Sequence, residues 1–156
     1  MVFQKEVMRL LLSVMLALSI ANSAFAGETE EEENIFHQLV LQISDNDPKR
    51  MTSVLNVAAN VSRHYSGIGH EVEIRIVAIN NGMHMLRADT SPVADRVRNF
   101  SKSMPNVEFI ACGNTIDTME RLEGKRPQLI DEYEIAPAGV VAIIQAHEEG
   151  WTVVKP

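Results

Sequence analysis

Beyond the N-terminal region, Phe36 to Ser44 (FHQLVLQIS) is a β-branched and leucine-rich run, which predicts a strand. Asp45-Asn46-Asp47-Pro48 follows, where Asp47 suits a helix cap and Pro48 the first helical position. Val54, Leu55, Ala58, Val61 and Tyr65 then recur at helical spacing, with Gly67 or Gly69 as the stop. Val72 to Ile79 (VEIRIVAI) predicts a second strand that puts Val72, Ile74, Ile76 and Ala78 on one face. Asn80-Asn81-Gly82 is turn chemistry, and Met83 to Ala88 fits a short helical turn. Ser91-Pro92 opens a helix with Val93, Val97, Phe100 and Met104 inward. Val107 to Ala111 predicts strand three, and Asn114 or Thr115 suits the cap of a helix reaching about Glu123. Gly124 to Asp131 reads as loop and Glu132 to Ile135 as a weak fourth strand. Pro137-Ala138-Gly139 opens a helix over Val140, Val141, Ile143, Ile144 and His147, Gly150 stops it, and Trp151 to Val154 forms the last strand.

Strands and helices thus alternate. That order predicts a three-layer α/β/α sandwich around a mainly parallel five-stranded sheet. One domain over residues 36–156 accommodates it.

The region before it has a different character. Lys5 and Arg9 precede Leu10 to Ile20, an apolar run too short for a spanning helix, which needs about 20 residues. Ala24-Phe25-Ala26 has the small-x-small form of a cleavage site, so residues 1–26 read as a signal peptide cut after Ala26. The expectation is a periplasmic or secreted protein without stable membrane insertion after cleavage; an uncleaved anchor is the alternative. Gly27 to Asn34 holds five glutamates in eight residues, and residues 27–35 read as an acidic, solvated tether.

Two of the 14 Lys+Arg and one of the 21 Asp+Glu fall in the leader, leaving 12 against 20 and a net charge near −8. Nucleic acid and anionic membrane surfaces are therefore poor partners. Phosphate-cradling glycine loops and Gly-x-Ser-x-Gly are absent, so no cofactor is expected. The histidines at 37, 64, 70, 84 and 147 lack paired ligand spacing, so no metal is expected either.

The remaining chemistry is one thiol. Ligands of open α/β sheets bind beyond the carboxyl ends of the strands. Those ends gather Asn46, then Asn81, Gly82 and His84, then Cys112, Gly113, Asn114 and Thr115. Cys112, the only cysteine, stands between a strand end and a helix N-terminus, where backbone N–H groups and the helix dipole favour a thiolate. Gly113 leaves room for close approach to the sulfur, and His84 is the candidate cationic partner. The plainer alternatives are a packed, inert cysteine in a binding module, an ordinary loop histidine, and an interchain disulfide.

The phrases LQISDNDP (41–48), VEIRIVAINNGMHML (72–86), VEFIACGNT (107–115) and PAGVVAIIQAHEEGWTVVKP (137–156) resemble the DsrE/DsrF-like family, most of all its small exported members. The resemblance covers roughly residues 36–156. It implies a layered α/β/α domain that forms homo-oligomers, trimers or hexamers. It also implies that Cys112 carries sulfur as a persulfide and exchanges it with a donor or acceptor protein. The family's sulfur-relay members follow this cysteine with a helix start ending in two arginines and a glycine. Here Gly113-Asn114-Thr115-Ile116-Asp117 follows, and the first later arginine is Arg121.

Overall fold

The computed structural model describes residues 35–156; the expected signal peptide (1–26) and all but the last residue of the expected tether (27–35) lie outside the described residues. Strands β1 (Phe36–Ile43), β2 (Glu71–Ala78), β3 (Val107–Cys112), β4 (Glu134–Ala136) and β5 (Thr152–Val154) form one sheet. Its order is β4-β3-β2-β1-β5, and each neighbouring pair is parallel. The helices are α1 (Pro48–Gly67), α2 (Ala94–Ser103), α3 (Gly113–Glu123) and α4 (Gly139–Glu148), with a 3₁₀ helix at Asn80–Leu86. The fold is a three-layer α/β/α sandwich.

Topology explains the layers. From β1 to β4 the chain steps along the sheet in one direction, so right-handed crossovers put α1, α2 and α3 on one face. The return from β4 to β5 crosses to the other edge and puts α4 on the opposite face. The register agrees. Leu39, Ile74 and Val107 align in one row, as do Leu41, Ile76 and Phe109, and all are buried on the three-helix side. Val40 and Val77 face α4, while Gln38, Glu73, Arg75 and Glu108 mark the part of that face left polar.

Local signals account for most boundaries. The Asp47 side chain accepts the Lys49 N–H at 2.9 Å and Pro48 opens α1, as the spacing predicts. Helix α1 ends at Gly67, and Gly69 takes the left-handed turn that follows (φ 77°). The turn at Asn80-Asn81-Gly82 and the short helical segment expected after it are one 3₁₀ helix, entered through left-handed Asn80 (φ 49°). Helix α3 begins at Gly113 with Cys112 in the cap position, rather than under an Asn114 or Thr115 cap. The Asn114 N–H is directed to the Pro137 carbonyl (3.1 Å), and the Thr115 hydroxyl accepts the Asn80 N–H (3.0 Å). No described helix is long and apolar enough to cross a membrane.

A charged clamp holds the C-terminal end of α3. Buried Arg87 pairs with both oxygens of Asp89 (2.9 and 2.8 Å) and reaches Glu123 at the end of α3. Its hydrogen bonds hold the Asp89 and Glu123 carboxyls below the usual carboxylate range. Depressed carboxylates contribute stability that is present above their unfolded values, about 4, and is lost as pH falls through the folded ones. Arg87→Met is expected to lower the Tm on the order of 5 °C at neutral pH. The gap between variant and wild type should be constant above about pH 5 and begin to narrow below about pH 4, and thermal unfolding across pH 2–7 checks it.

Candidate functional site

Cys112 is the last residue of β3 and pairs in register with Ala136 of β4. Its side chain therefore points to the α4 side of the sheet, and α3 starts at the next residue. The N-termini of α3 and α4 meet at this thiol. The Gly139 N–H, first in α4, donates to Cys112 Sγ at 3.2 Å. Thr115, in the first turn of α3, is 8% exposed, and its hydroxyl lowers the pKa of the thiol. Because that oxygen already accepts the Asn80 N–H, its own hydrogen is free to donate.

Electrostatics at the sulfur run in two directions. Burial is the largest influence and pushes the Cys112 thiol up, since the residue is 6% exposed. The Thr115 hydroxyl and the Gly139, Thr115 and Asn114 N–H groups pull it down. The donors win, and the thiol sits below its ordinary value. Among the described hydrogen bonds, those at Sγ are ones the sulfur accepts, so the thiolate suits the site better than S–H.

Two glycines permit this packing. A Cβ on Gly139 would stand 2.5 Å from Ile79 Cγ2 and 3.0 Å from Cys112 Cβ, so a side chain there would push α4 off the thiol. A Cβ on Gly113 would lie 3.1 Å from the Pro137 carbonyl oxygen. The close approach at Gly113 is thus made by the chain's own Ala136-Pro137 backbone.

A cavity of about 410 Å³ opens between α3 and α4, and Cys112 lines it. Asn81, Asn114 and Thr115, expected from sequence at this edge, line it too. Asn46 is exposed after β1 and outside the lining. Gly82 is buried beneath the 3₁₀ helix against the end of β1. His84 is half-buried in that helix and is not among the lining residues. Ala138 and Gly139, at the strand-four end of the same edge, line it as well; the residues that sequence reading did not place there are Thr118, Met119 and Leu122 on α3 and Val140 on α4. The α3 residues share one helical face with Thr115, a signal available from spacing alone.

A larger groove of about 970 Å³ lies at the other end of the strands, among Phe36, His70, Glu71, Pro105 and Asn106, and contains no part of the thiol site. There His37 Nε2 and His70 Nδ1 lie 3.1 Å apart, with Tyr65 stacked on His37. Among the described residues, no group of three or more His, Cys, Asp and Glu is placed to hold a metal ion.

The chain matches none of the known protein-family models and none of the curated proteins compared with it. Among solved structures it is similar to MTH1491, a protein of unknown function from Methanobacterium thermoautotrophicum. The two are 26% identical, with a TM-score of 0.66 over 77% of this chain and 99% of that one.

Proposed function

We propose that this chain handles sulfur in the manner of the DsrE/DsrF-like proteins it resembles, with Cys112 carrying sulfane sulfur as a persulfide. One observation carries the reading: a single buried thiol lines a cavity and accepts hydrogen bonds at the meeting of two helix N-termini. The transfer is balanced without an added oxidant. The Cys112 thiolate attacks the terminal sulfur of a hydropersulfide R–S–SH. The Cys112 S–S bond forms, the donor S–S bond breaks, and R–S⁻ leaves. Passing the sulfur to an acceptor thiolate reverses the same step.

The test is intact mass of the purified protein after long exposure to excess polysulfide or thiosulfate, beside Cys112→Ser. Wild type is expected to gain sulfur that reductant removes, and Cys112→Ser to gain none. Wild type that takes up no sulfur from either donor, or a Cys112→Ser variant that loads as well, would sink the carrier reading.

The leader-like residues 1–26 support a periplasmic or secreted location, where the protein would meet its sulfur donor or acceptor. Helix α4 supports a homo-oligomer. Val140, Val141 and Ile144 on α4 are about half exposed. An apolar stripe of this kind is suited to cover by a second copy. Val141→Glu combined with Ile144→Glu is expected to convert the assembly to monomer in sedimentation equilibrium. An unchanged mass would remove α4 from the interface.

A further inference from the structure

The cavity beside Cys112 changes character along its length. On α3, Thr115, Met119 and Leu122 lie at i, i+4 and i+7, one face of the helix, and all three line the cavity. They run from Thr115, buried at the sulfur, to Leu122, 81% exposed at the far end of the helix. Val140, in the first turn of α4, lines the cavity and is half exposed. The deep end is therefore furnished with backbone N–H groups and the Thr115 hydroxyl; beyond it Met119, Leu122 and Val140 form an apolar strip, beside the uncharged polar side chains of Asn80, Asn81, Asn114 and Thr118.

The ionisable content is equally informative. Apart from Cys112, no Lys, Arg, His, Asp or Glu lines the cavity. The donors at the deep end can stabilise one anionic sulfur, which is the Cys112 thiolate itself. A ligand that brought a second negative charge would place it in a partly enclosed, low-dielectric space with no cation to meet it. A volume of about 410 Å³ lies at the small end of ligand pockets, which run roughly 300–1,000 Å³.

We infer that the cavity takes a small organic hydropersulfide, R–S–SH, with an uncharged apolar R group, whose terminal sulfur meets Cys112 while R lies along Met119, Leu122 and Val140. This rests on the sulfur-carrier reading and adds the class of donor. The chemistry is the step already written: the terminal sulfur passes to the Cys112 thiolate and R–S⁻ leaves to solvent at the end of the cavity marked by exposed Leu122. Inorganic thiosulfate, a dianion without an apolar body, could deliver sulfur by the same displacement with sulfite leaving. It gains nothing from the apolar lining and meets the thiolate with like charge.

A matched pair of donors tests this. Benzyl hydropersulfide and its 4-carboxybenzyl analogue differ by one carboxylate remote from the reacting sulfur. The rate of sulfur gain on the full protein is read by intact mass. Each rate is divided by the rate at which free cysteine accepts sulfur from the same donor. Thiosulfate is measured alongside. Wild type is expected to prefer the benzyl donor over its carboxylated analogue by about tenfold or more, a factor worth 1.4 kcal/mol, and to rank thiosulfate lowest. Leu122→Asp and Val140→Asp are expected to lose most of their rate with the benzyl donor. Both should keep the wild-type circular dichroism and thermal midpoint, which shows an intact fold.

Equal normalised rates for the two benzyl donors, or thiosulfate loading as fast as either, overturns the apolar donor and leaves the carrier reading standing. A preference that survives in both variants overturns the assignment of the apolar lining. Sulfur gain from none of the three donors overturns the carrier reading and the donor class with it.

Discussion

Gly82→Ala is expected to destabilise the domain by about 3 kcal/mol, at the upper end for overpacking a tight site. Gly82 lies in the 3₁₀ helix, directly over the end of β1. A Cβ there would fall 2.2 Å from the Ile43 carbonyl oxygen, 2.5 Å from its carbon and 2.8 Å from the Ser44 nitrogen. All three are backbone atoms, so no change of rotamer relieves the clash. The Ile43 carbonyl also accepts the Ile79 N–H at 3.0 Å, which joins the ends of β1 and β2. Either that bond opens or the 3₁₀ helix lifts away. Lifting it would carry Asn80 and Asn81 out of the thiol cavity they line. Urea denaturation measures the loss, with Gly67→Ala as the control. A Cβ on Gly67 meets nothing within 4 Å, and its φ is not positive, so this change should stay within about 0.5 kcal/mol or stabilise α1 slightly. Gly82→Ala with wild-type stability would show that β1 and the 3₁₀ helix can separate freely.

The same residue shows what a sequence can and cannot disclose. Asn80-Asn81-Gly82 is legible as turn chemistry from residue types, but its collision partner, Ile43, is 39 positions away and enters only through the fold. Strands β1, β2 and β3 are legible because each carries an unbroken apolar row toward the three-helix side, and α1 because its cap and its stripe agree. The edge strand β4, three residues long and largely exposed, has little apolar signal to offer, and it lies at Glu134–Ala136 rather than 132–135. Helix α4 misleads in the opposite sense. Its apolar positions suggest a buried element, yet Val140, Val141 and Ile144 are about half exposed, because α4 alone covers its face of the sheet. At the site, the strand-end rule brings Cys112, Asn81, Asn114 and Thr115 together. It also gathers Asn46, Gly82, His84 and Gly113, which share the edge without lining the cavity, since the cavity lies between α3 and α4 rather than along the whole edge. The donation from Gly139 to sulfur depends on the direction in which α4 leaves β4, and no local pattern encodes that.

Thr115→Val is expected to raise the Cys112 thiol by about one pKa unit, because it removes one charge-assisted hydrogen bond, worth roughly 1.5 kcal/mol, and little volume. Alkylation by iodoacetamide is expected to show a wild-type midpoint below the ordinary value near 9, since the hydrogen-bond donors at the sulfur outweigh burial. Below both midpoints the variant has about a tenth of the wild-type thiolate. A more basic thiolate is also a better nucleophile, with a Brønsted slope near 0.4–0.5, which returns about a factor of three. The net rate near neutrality should therefore fall only about threefold. Above both midpoints every thiol is ionised and the order reverses, with the variant about threefold faster. Thr115→Ser keeps the hydroxyl and should track wild type at each pH. Stability follows the same sign. A thiolate favoured by folding contributes stability that is present above the unfolded value near 9 and is lost as pH falls through the folded midpoint. Wild type should therefore gain on Cys112→Ser as pH rises through that interval, and Thr115→Val should gain less. Rate profiles of Thr115→Val and wild type that never cross would mean that the hydroxyl does not reach the sulfur, leaving the Gly139, Thr115 and Asn114 N–H groups as the source of its acidity.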